Sequence, residues 1–314
     1  MAEGTMIEWV LAGLAGLVLA PTVAEVLRPR MGPKVRQEAP GEFADLSRGV
    51  THYQWLGPEG GPLVVCVHGL TTPSFVWEGI APRLAEAGYR VLTYDLYGRG
   101  YSDRPRGVQE AEYFTAQLEE LLEHLGVDER FTLVGYSMGG SIGACYAAQN
   151  PERLNRMILL APAGMGHDLG PVARLVVNYG GFGRWLFMAM YGRSFRQGTE
   201  TERDLPSSVP DIVYRQQNEL RYRGFRGAVL SSMRGILDRD LEDEHRAIAE
   251  SDLPVLAIWA RDDEVIPITG MGKLAEWNRK AEHEVIEGAG HALAYSHSDE
   301  VVGLLLPALE AAQK

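Results

Sequence analysis

From Gly49 onward the sequence alternates short apolar runs with longer amphipathic segments. The runs LVVCVHG at 63–69 and RVLTYDL at 90–96 are apolar enough to be strands buried on both faces. The segment at 108–126 instead repeats apolar residues at helical spacing and ends with a glycine stop signal. This alternation is typical of a mostly parallel sheet covered by helices, so the pattern predicts an α/β fold.

The alternation of strands and helices stops between Gly164 and about Glu250, where the sequence is helix-like and rich in Arg, Gly, aromatic residues and Met. An insertion of this length between two core strands is too long for a loop. We therefore predict a helical subdomain over residues 164–250 and call it the cap segment. The predicted core then consists of residues 37–163 and 251–314.

A serine lies at the junction between a predicted strand and a predicted helix. The peptide Gly135-Tyr136-Ser137-Met138-Gly139 has the pattern G-x-S-x-G. So tight a turn requires small residues two positions on either side of the serine and strains the backbone of the serine itself. Ser137 is therefore the candidate nucleophile. Because the turn leaves the first amides of the following helix unpaired, the Met138 N–H is a candidate oxyanion donor.

A second oxyanion donor is expected from the loop after an earlier strand, because one amide is rarely enough to stabilise the developing charge. The sequence His68-Gly69-Leu70 lies in that place. We assign the Leu70 N–H as the second donor, with Gly69 allowing close approach, and interpret His68 as a structural residue that shapes the loop.

A serine hydroxyl needs a histidine to take its proton and a carboxylate to fix the tautomer of that histidine. The segment RDDEVIP, after the predicted strand LPVLAIWA, offers Asp262, Asp263 and Glu264, and His291 follows the last predicted strand. His297 competes with His291 as the base. The chain order Ser, Asp, His is the one expected for this kind of turn.

These motifs together resemble the α/β-hydrolase superfamily, in its esterase and lipase branch with a helical cap. The resemblance covers nearly everything after about residue 49. It rests on five motifs in order: HGL, DLYGRGYSDRP, GYSMGG, WARDDEVIP and GAGH. It implies an α/β-hydrolase fold, and we interpret DLYGRGYSDRP as a loop that shapes the pocket.

The resemblance also implies the acid and the base. In the family the stretch after the seventh strand usually reads W-G-x-x-D-x-x-x-P, so Trp259 and Pro267 imply Asp263 as the acid. Ala260 stands where the family usually has glycine. Family members place the histidine directly after a glycine turn, which implies His291.

Composition excludes several classes of function. The chain of 314 residues carries 30 Lys and Arg against 42 Asp and Glu, a formal net charge of −12. Its overall field repels polyphosphates, so nucleic acid is not expected as a partner. Cys66 and Cys145 lie apart among small or apolar residues. They predict neither a disulfide framework nor a metal site, and no cofactor is expected.

The N-terminal region, residues 1–36, contains an apolar run. Ile7 to Ala20 is apolar except for Glu8, and a basic stretch, LRPRMGPKVR, follows Pro21. A signal peptide, a helix that crosses or lies on a membrane, and a helix packed on its own domain or a second copy all fit this run. The acidic start disfavours a signal peptide, and the basic stretch favours contact with anionic headgroups. We therefore expect a membrane-associated or cytoplasmic protein rather than a secreted or periplasmic one.

The resemblance implies a carboxylic ester hydrolase, acting on a small-molecule ester or lipid. Serine argues against the haloalkane dehalogenase and epoxide hydrolase branches, whose nucleophile is an aspartate. The cap stretch FGRWLFMAMY has a spacing that suits an acyl pocket or contact with a lipid surface, and its candidate residues are Phe182, Trp185, Leu186, Phe187, Met188, Met190 and Tyr191. Of these we assign Phe182, Trp185, Phe187 and Met188 to substrate binding. They favour apolar acyl substrates, as in monoacylglycerol-lipase-like members, although the same residues would also serve to hold the cap on the core.

Two other functions stay open at this point. A carbon–carbon bond hydrolase of ring-cleavage products shares the S-M-G-G and R-D-D patterns, but those enzymes favour a glycine-rich oxyanion loop where this chain has HGLTTP. A non-catalytic relative would use the same pocket only to bind a ligand. A complete set of candidate catalytic residues argues against that alternative.

Overall fold

The computed structural model describes residues 2–166 and 170–313, and within them it contains one eight-stranded sheet. The strand order is β1-β2-β4-β3-β5-β6-β7-β8. The strands are β1 (Glu42–Leu46), β2 (Gly49–Leu56), β3 (Leu63–Val67), β4 (Arg90–Tyr94), β5 (Phe131–Tyr136), β6 (Leu154–Leu160), β7 (Val255–Ala260) and β8 (Glu282–Ile286). β2 pairs antiparallel with both β1 and β4, and the other five pairs are parallel, which confirms the predicted α/β class.

Helices connect the strands. They are α1 (Ala2–Val26), α2 (Pro33–Arg36), α3 (Ala81–Glu86), α4 (Ala111–His124), α5 (Met138–Gln149), α6 (Gly170–Asn178), α7 (Gly180–Glu200), α8 (Ile212–Asn218), α9 (Phe225–Arg234), α10 (Glu242–Glu250), α11 (Gly270–Trp277), α12 (Leu293–Ser296) and α13 (Ser298–Ala311). A 3₁₀ helix, Ser74–Gly79, precedes α3. Pro82 lies in the first turn of α3, where the missing amide hydrogen costs nothing.

The sheet is buried on both faces. Along β3, Val65 and Val67 belong to an apolar cluster shared with α4 and α5, whereas Val64 and Cys66 belong to a second cluster shared with α3 and α13. Successive side chains of a strand point to opposite faces, so both faces of β3 need apolar residues. This is the physical reason for the uninterrupted apolar runs in the sequence.

The cap segment, which follows β6 and ends before β7, forms helices α6 to α10 in its described residues. It has an apolar cluster of its own that includes Phe187, Leu220, Phe225 and Val229. Two cap helices also pack against the sheet, because Ile248 of α10 belongs to one of its clusters and Ile212 and Val213 of α8 belong to the other. The division of the chain into domains stays a prediction.

The apolar stretch of α1 does not pack into the core. Met6–Val26 has a mean hydropathy of 1.8 and is long and apolar enough to cross a membrane, and none of it is buried. Only the end of the helix is attached to the cap segment. Glu25 Oε1 accepts the Gly224 N–H at 2.7 Å. Beyond the helix, the Arg223 N–H donates to the Pro29 carbonyl at 2.8 Å.

His245 is a buried histidine far along the chain from the candidate nucleophile. Its ring stacks on Trp277 at 6.2 Å between ring centroids, and its Nδ1 finds no hydrogen-bond partner among the described residues. Burial lowers the pKa of His245 from 6.5 to about 4. Because the folded-state pKa lies below the unfolded one, the stability present above pH 6.5 is lost as the pH falls towards 4.

We predict that His245→Phe removes this source of acid sensitivity. Between pH 6.5 and 4, the free energy of unfolding of the wild type should fall by up to about 3 kcal/mol more than that of the variant. Urea unfolding at several pH values measures the difference. His124→Phe, at an exposed position of α4, is the matched control. If His245→Phe and the control lose stability equally on acidification, the prediction is wrong.

Candidate active site

Ser137 lies in the turn between β5 and α5, with φ 54° and ψ −118°. Residues other than glycine rarely adopt this left-handed region, so hydrogen bonds to neighbouring residues must hold Ser137 in this conformation. The Ser137 N–H donates to the Leu160 carbonyl at 2.9 Å, and the Ser137 carbonyl accepts the Gly140 N–H at 2.9 Å. The turn is therefore fixed between β6 and the first turn of α5.

The two glycines of the turn lie against neighbouring backbone. A Cβ added to Gly139 would lie 2.1 Å from the Val67 carbonyl oxygen and 2.7 Å from that of His68. A Cβ added to Gly135 would lie 2.5 Å from the Gly139 carbonyl oxygen. Larger residues would therefore push β3 and its following loop away from Ser137.

Ser137, His291 and Asp263 form a continuous hydrogen-bonded row. His291 Nε2 lies 3.0 Å from Ser137 Oγ, and His291 Nδ1 lies 2.8 Å from Asp263 Oδ2. Asp263 Oδ1 accepts the N–H groups of Val265 at 2.8 Å and Ile266 at 2.7 Å, which fixes the carboxylate. Because a carboxylate only accepts, the Nδ1 of His291 carries the proton and its Nε2 is left to accept from the serine hydroxyl.

The competing candidates lie elsewhere around the cavity. Asp262 is exposed and its backbone N–H donates to the Ala289 carbonyl. His297 directs its Nδ1 to Ser296 Oγ at 2.9 Å. Both residues line the cavity beside Ser137, but in the described part of the chain neither bonds to Ser137 or His291.

The two amides predicted as oxyanion donors are both free in the described part of the chain, since neither the Leu70 nor the Met138 N–H donates to any described group. Met138 is the first residue of α5, where an N–H has no partner within the helix. The loop that carries Leu70 comes close to Ser137 at Gly69, where an added Cβ would lie 3.3 Å from Ser137 Cβ.

His68 holds this loop in position. Its Nε2 accepts the Leu96 N–H at 2.9 Å, so its Nδ1 carries the proton and donates to the Gly69 carbonyl at 2.8 Å. Burial lowers the pKa of His68 to about 4, which keeps the ring neutral near pH 7. A neutral ring supplies the one donor and one acceptor that these bonds require.

Asp95 joins this loop to the rest of the core. Its carboxylate accepts the N–H groups of Ser74 and Tyr101 and bonds to His52 Nδ1, each at 2.8 Å. Burial by itself raises the pKa of Asp95, but the charge and hydrogen bond of His52 outweigh it and hold the pKa below the usual range. The contact between His52 and Asp95 cannot be predicted from the sequence, because the two residues are 43 positions apart and belong to no common motif.

A cavity of about 770 Å³ opens beside Ser137, and we call it the Ser137 cavity. Its apolar lining comes largely from the cap segment: Tyr191, Phe195, Leu205, Val229, Met233 and Leu237. Glu202, Asp262 and Glu264 also line it, while none of its described lining residues is Lys or Arg. Over residues 2–166 and 170–313, no group of three His, Cys, Asp or Glu side chains is placed to hold a metal ion.

The four aromatic and methionine residues predicted to bind substrate lie elsewhere, which corrects that prediction. Phe182 is 59% exposed and stacks on Trp185. Phe187 is buried in the cap cluster and stacks on Tyr191, with ring centroids 4.3 Å apart. Met188 lines a different cavity. The sequence indicated the right helix, α7, but not which of its turns lies above Ser137.

We predict that Gly139→Ala destabilises the protein by about 1–3 kcal/mol, because its Cβ would force backbone apart. Gly272→Ala, in α11 with no atom within 4 Å of the added Cβ, is the matched control. It should stabilise the protein by about 0.5–1 kcal/mol, since alanine suits a helix interior better than glycine. Thermal unfolding of both variants measures the contrast, and equal effects would contradict the packing argument.

Comparison with known proteins agrees with this architecture. A family model described as alpha/beta hydrolase fold matches residues 62–185 and 186–298. A pimeloyl-[acyl-carrier protein] methyl ester esterase of Aeromonas salmonicida is 30% identical over 253 residues, which cover 78% of this chain and 94% of that protein. A 2-hydroxymuconate semialdehyde hydrolase of a Pseudomonas species is 28% identical over 258 residues, 78% of this chain and 86% of that protein.

Solved structures show the same fold. The crystal structure of a membrane phospholipase A, described as a bacterial virulence factor, has a TM-score of 0.72 at 20% identity and is matched over 100% of both chains. The predicted α/β-hydrolase fold is confirmed, with its eight-stranded, mostly parallel sheet flanked by helices. The family model covers most of the chain, and the protein belongs to the α/β-hydrolase family.

Proposed function

We propose that the protein is a serine hydrolase that cleaves carboxylic esters with apolar acyl chains. The observation that carries this proposal is the row from Ser137 through His291 to Asp263, with spacings of 3.0 and 2.8 Å, beside two free backbone amides. A nucleophile, a base, an orienting acid and an oxyanion site are the parts that acyl transfer requires.

In the first half of the reaction, Ser137 Oγ attacks the ester carbonyl carbon and its proton passes to His291 Nε2. Asp263 stabilises the charged imidazole, and the amides of Leu70 and Met138 bind the oxyanion. The tetrahedral intermediate collapses, the alcohol leaves with the proton from His291, and the acyl group stays on Ser137. No step needs a group beyond these residues and water.

In the second half, His291 takes a proton from water, whose oxygen attacks the acyl carbon. The same two amides again bind the oxyanion, and the proton returns to Ser137 Oγ as the carboxylic acid leaves. Each of these amide hydrogen bonds is expected to contribute about 3 kcal/mol to transition-state stabilisation.

The apolar lining of the Ser137 cavity supports an apolar acyl chain as the substrate group. The cap segment places Tyr191, Phe195, Val229 and Met233 around it. Burial of each methylene of an acyl chain against such a lining gains about 0.8 kcal/mol. On this basis we propose a substrate preference like that of monoacylglycerol-lipase-like esterases. The methyl ester esterase from Aeromonas salmonicida is a relative whose name fits ester cleavage.

A carbon–carbon bond hydrolase is the second candidate, because one relative is a 2-hydroxymuconate semialdehyde hydrolase. A muconate-type substrate carries a carboxylate, and burying a carboxylate without a cation is costly. The described lining of the Ser137 cavity has Glu202, Asp262 and Glu264 but neither Lys nor Arg. Its charge therefore favours a neutral ester.

We also propose that α1 anchors the protein in or on a membrane. The 21 residues Met6–Val26 suit a bilayer by length and composition, and none of them is buried. The structure of a membrane phospholipase A is matched over the whole of this chain, α1 included. The basic residues after α1, among them Arg28, Arg30 and Lys34, would then meet the headgroups.

We predict that Asp263→Asn lowers kcat for a p-nitrophenyl ester about 10⁴-fold, because His291 would lose the acceptor that fixes its tautomer. Asp262→Asn, one residue away and exposed, should keep the wild-type kcat. Ser137→Ala should abolish the burst of acyl-enzyme formation. Stopped-flow measurement of p-nitrophenol release separates the three variants. Loss of activity in Asp262→Asn instead would assign the acid to Asp262.

Hydrolysis of p-nitrophenyl esters from two to sixteen carbons tests the substrate class. We expect kcat/KM to rise from the acetate to chains of intermediate length, because each added methylene gains apolar contact. A steady fall from acetate onward would contradict the apolar acyl proposal. Failure of a fluorophosphonate to label Ser137 in folded protein would instead support the non-catalytic alternative.

The membrane proposal predicts that the full-length chain pellets with membranes after a high-salt wash. Replacing Leu14 and Leu17 with Lys should release it, since charge in the apolar stretch opposes insertion. Val108→Lys, at an apolar position 62% exposed outside α1, is the control and should stay in the pellet. Wild-type protein found in the supernatant would contradict the proposal.

A further inference from the structure

A second cavity, of about 760 Å³, lies where the end of α1 meets the cap segment and the loop after β4. Six arginines line it: Arg30, Arg48, Arg104, Arg106, Arg184 and Arg223. We call it the arginine cavity. This concentration of positive charge is unusual for a chain whose net charge is −12.

The two carboxylates in the lining of the arginine cavity already have other partners. Asp103 accepts from the Arg36 guanidinium at 2.6 Å and from the Val50 N–H at 2.8 Å. Glu25 accepts the Gly224 N–H at 2.7 Å and lies 3.1 Å from Arg28. Each of these carboxylates is therefore paired with an arginine that does not line the cavity.

Most of the guanidinium groups therefore lack a protein counter-ion. In the described residues, no carboxylate lies within ion-pairing distance of the guanidinium of Arg30, Arg106, Arg184 or Arg223. Arg104 is different, because its side chain is 6% exposed and lies 3.3 Å from Glu219, yet its Nε has no hydrogen-bond partner among those residues. Cations held together without anions repel one another, so an external anion would stabilise this arrangement.

The position of the arginine cavity indicates which anion is available. Its lining includes Thr22, Glu25 and Val26 from the last turns of the apolar stretch of α1. A stretch of 21 residues is about 30 Å long, the thickness of the hydrocarbon core of a bilayer. If α1 crosses a membrane, its last turns lie at the level of the lipid phosphates. Basic pockets at that level bind the headgroups of anionic lipids.

We propose that the arginine cavity binds the phosphate of an anionic glycerophospholipid headgroup. Arginine suits this ligand because its planar guanidinium donates two parallel hydrogen bonds to phosphate oxygens. The volume lies within the range of about 300–1,000 Å³ that is usual for ligand pockets. The choice of a lipid rather than a free phosphate rests on the membrane role proposed for α1.

This ligand would lie outside the Ser137 cavity, because the described linings of the two cavities share no residue. Helix α9 separates them. Ala228 and Ser231 face the arginine cavity, while Val229 and Met233 face the Ser137 cavity. Glu25 and Gly224, which connect α1 to the cap segment, are part of the lining of the arginine cavity. A bound headgroup would therefore contact both α1 and the cap segment.

The test is calorimetric titration of the full-length protein in a non-ionic detergent. The ligand is a short-chain, ether-linked phosphatidylglycerol, which has no ester to cleave. We expect saturable binding that the double variant R106Q/R184Q weakens about 30-fold, from the loss of two cations near a phosphate. The double variant R193Q/R279Q removes the same charge at exposed positions outside the cavity and should bind like the wild type.

Three other ligands and one activity measurement complete the test. Equal binding of the matching phosphatidylcholine would show recognition of the tails alone and overturn the proposal. Equal binding of inorganic phosphate or glycerol phosphate would assign the arginine cavity to a free phosphate and overturn the lipid assignment. An R106Q/R184Q variant that binds like R193Q/R279Q would also overturn it. Hydrolysis of p-nitrophenyl butyrate by R106Q/R184Q reports separately on the Ser137 site and should equal that of wild type.

Discussion

The close packing of backbone against backbone at Gly139 is the constraint on which the site depends. The Val67 and His68 carbonyls approach this residue so closely that no side chain fits there. That contact brings the end of β3 against the start of α5, and with it the loop that carries the Leu70 amide. The strained φ of Ser137 persists because β6 and α5 bind its backbone on both sides.

Buried polar groups then fix the loops around this turn. Neutral His68 bonds one backbone donor and one backbone acceptor, and ionised Asp95 gathers amides from two loops and the ring of His52. Each of these groups would be costly to bury without its partners. Because most of these partners are backbone groups, the network connects the loop after β3 to the loop after β4.

The cap segment serves both cavities. Helices α7 and α9 present Tyr191, Phe195 and Val229 to the Ser137 cavity, and Arg184 and Ala228 to the arginine cavity. The different linings follow from the helical repeat, which turns residues a few positions apart towards different neighbours. The end of α1 contacts these same two helices, so the helices that line the Ser137 cavity also hold α1.

The features that depend on local patterns can be predicted from the amino-acid sequence alone. Strands buried on both faces need uninterrupted apolar runs, so these runs predict a mostly parallel sheet. A tight turn at Ser137 needs glycine on both sides, so the G-x-S-x-G pattern predicts the nucleophile. Which of the apolar residues of α7 reach the Ser137 cavity depends instead on how the cap packs on the core, and of the candidates Tyr191 lines the cavity while Phe182 does not. The meeting of six arginines from five segments in one cavity likewise depends on how distant elements pack, so it leaves no local pattern in the sequence.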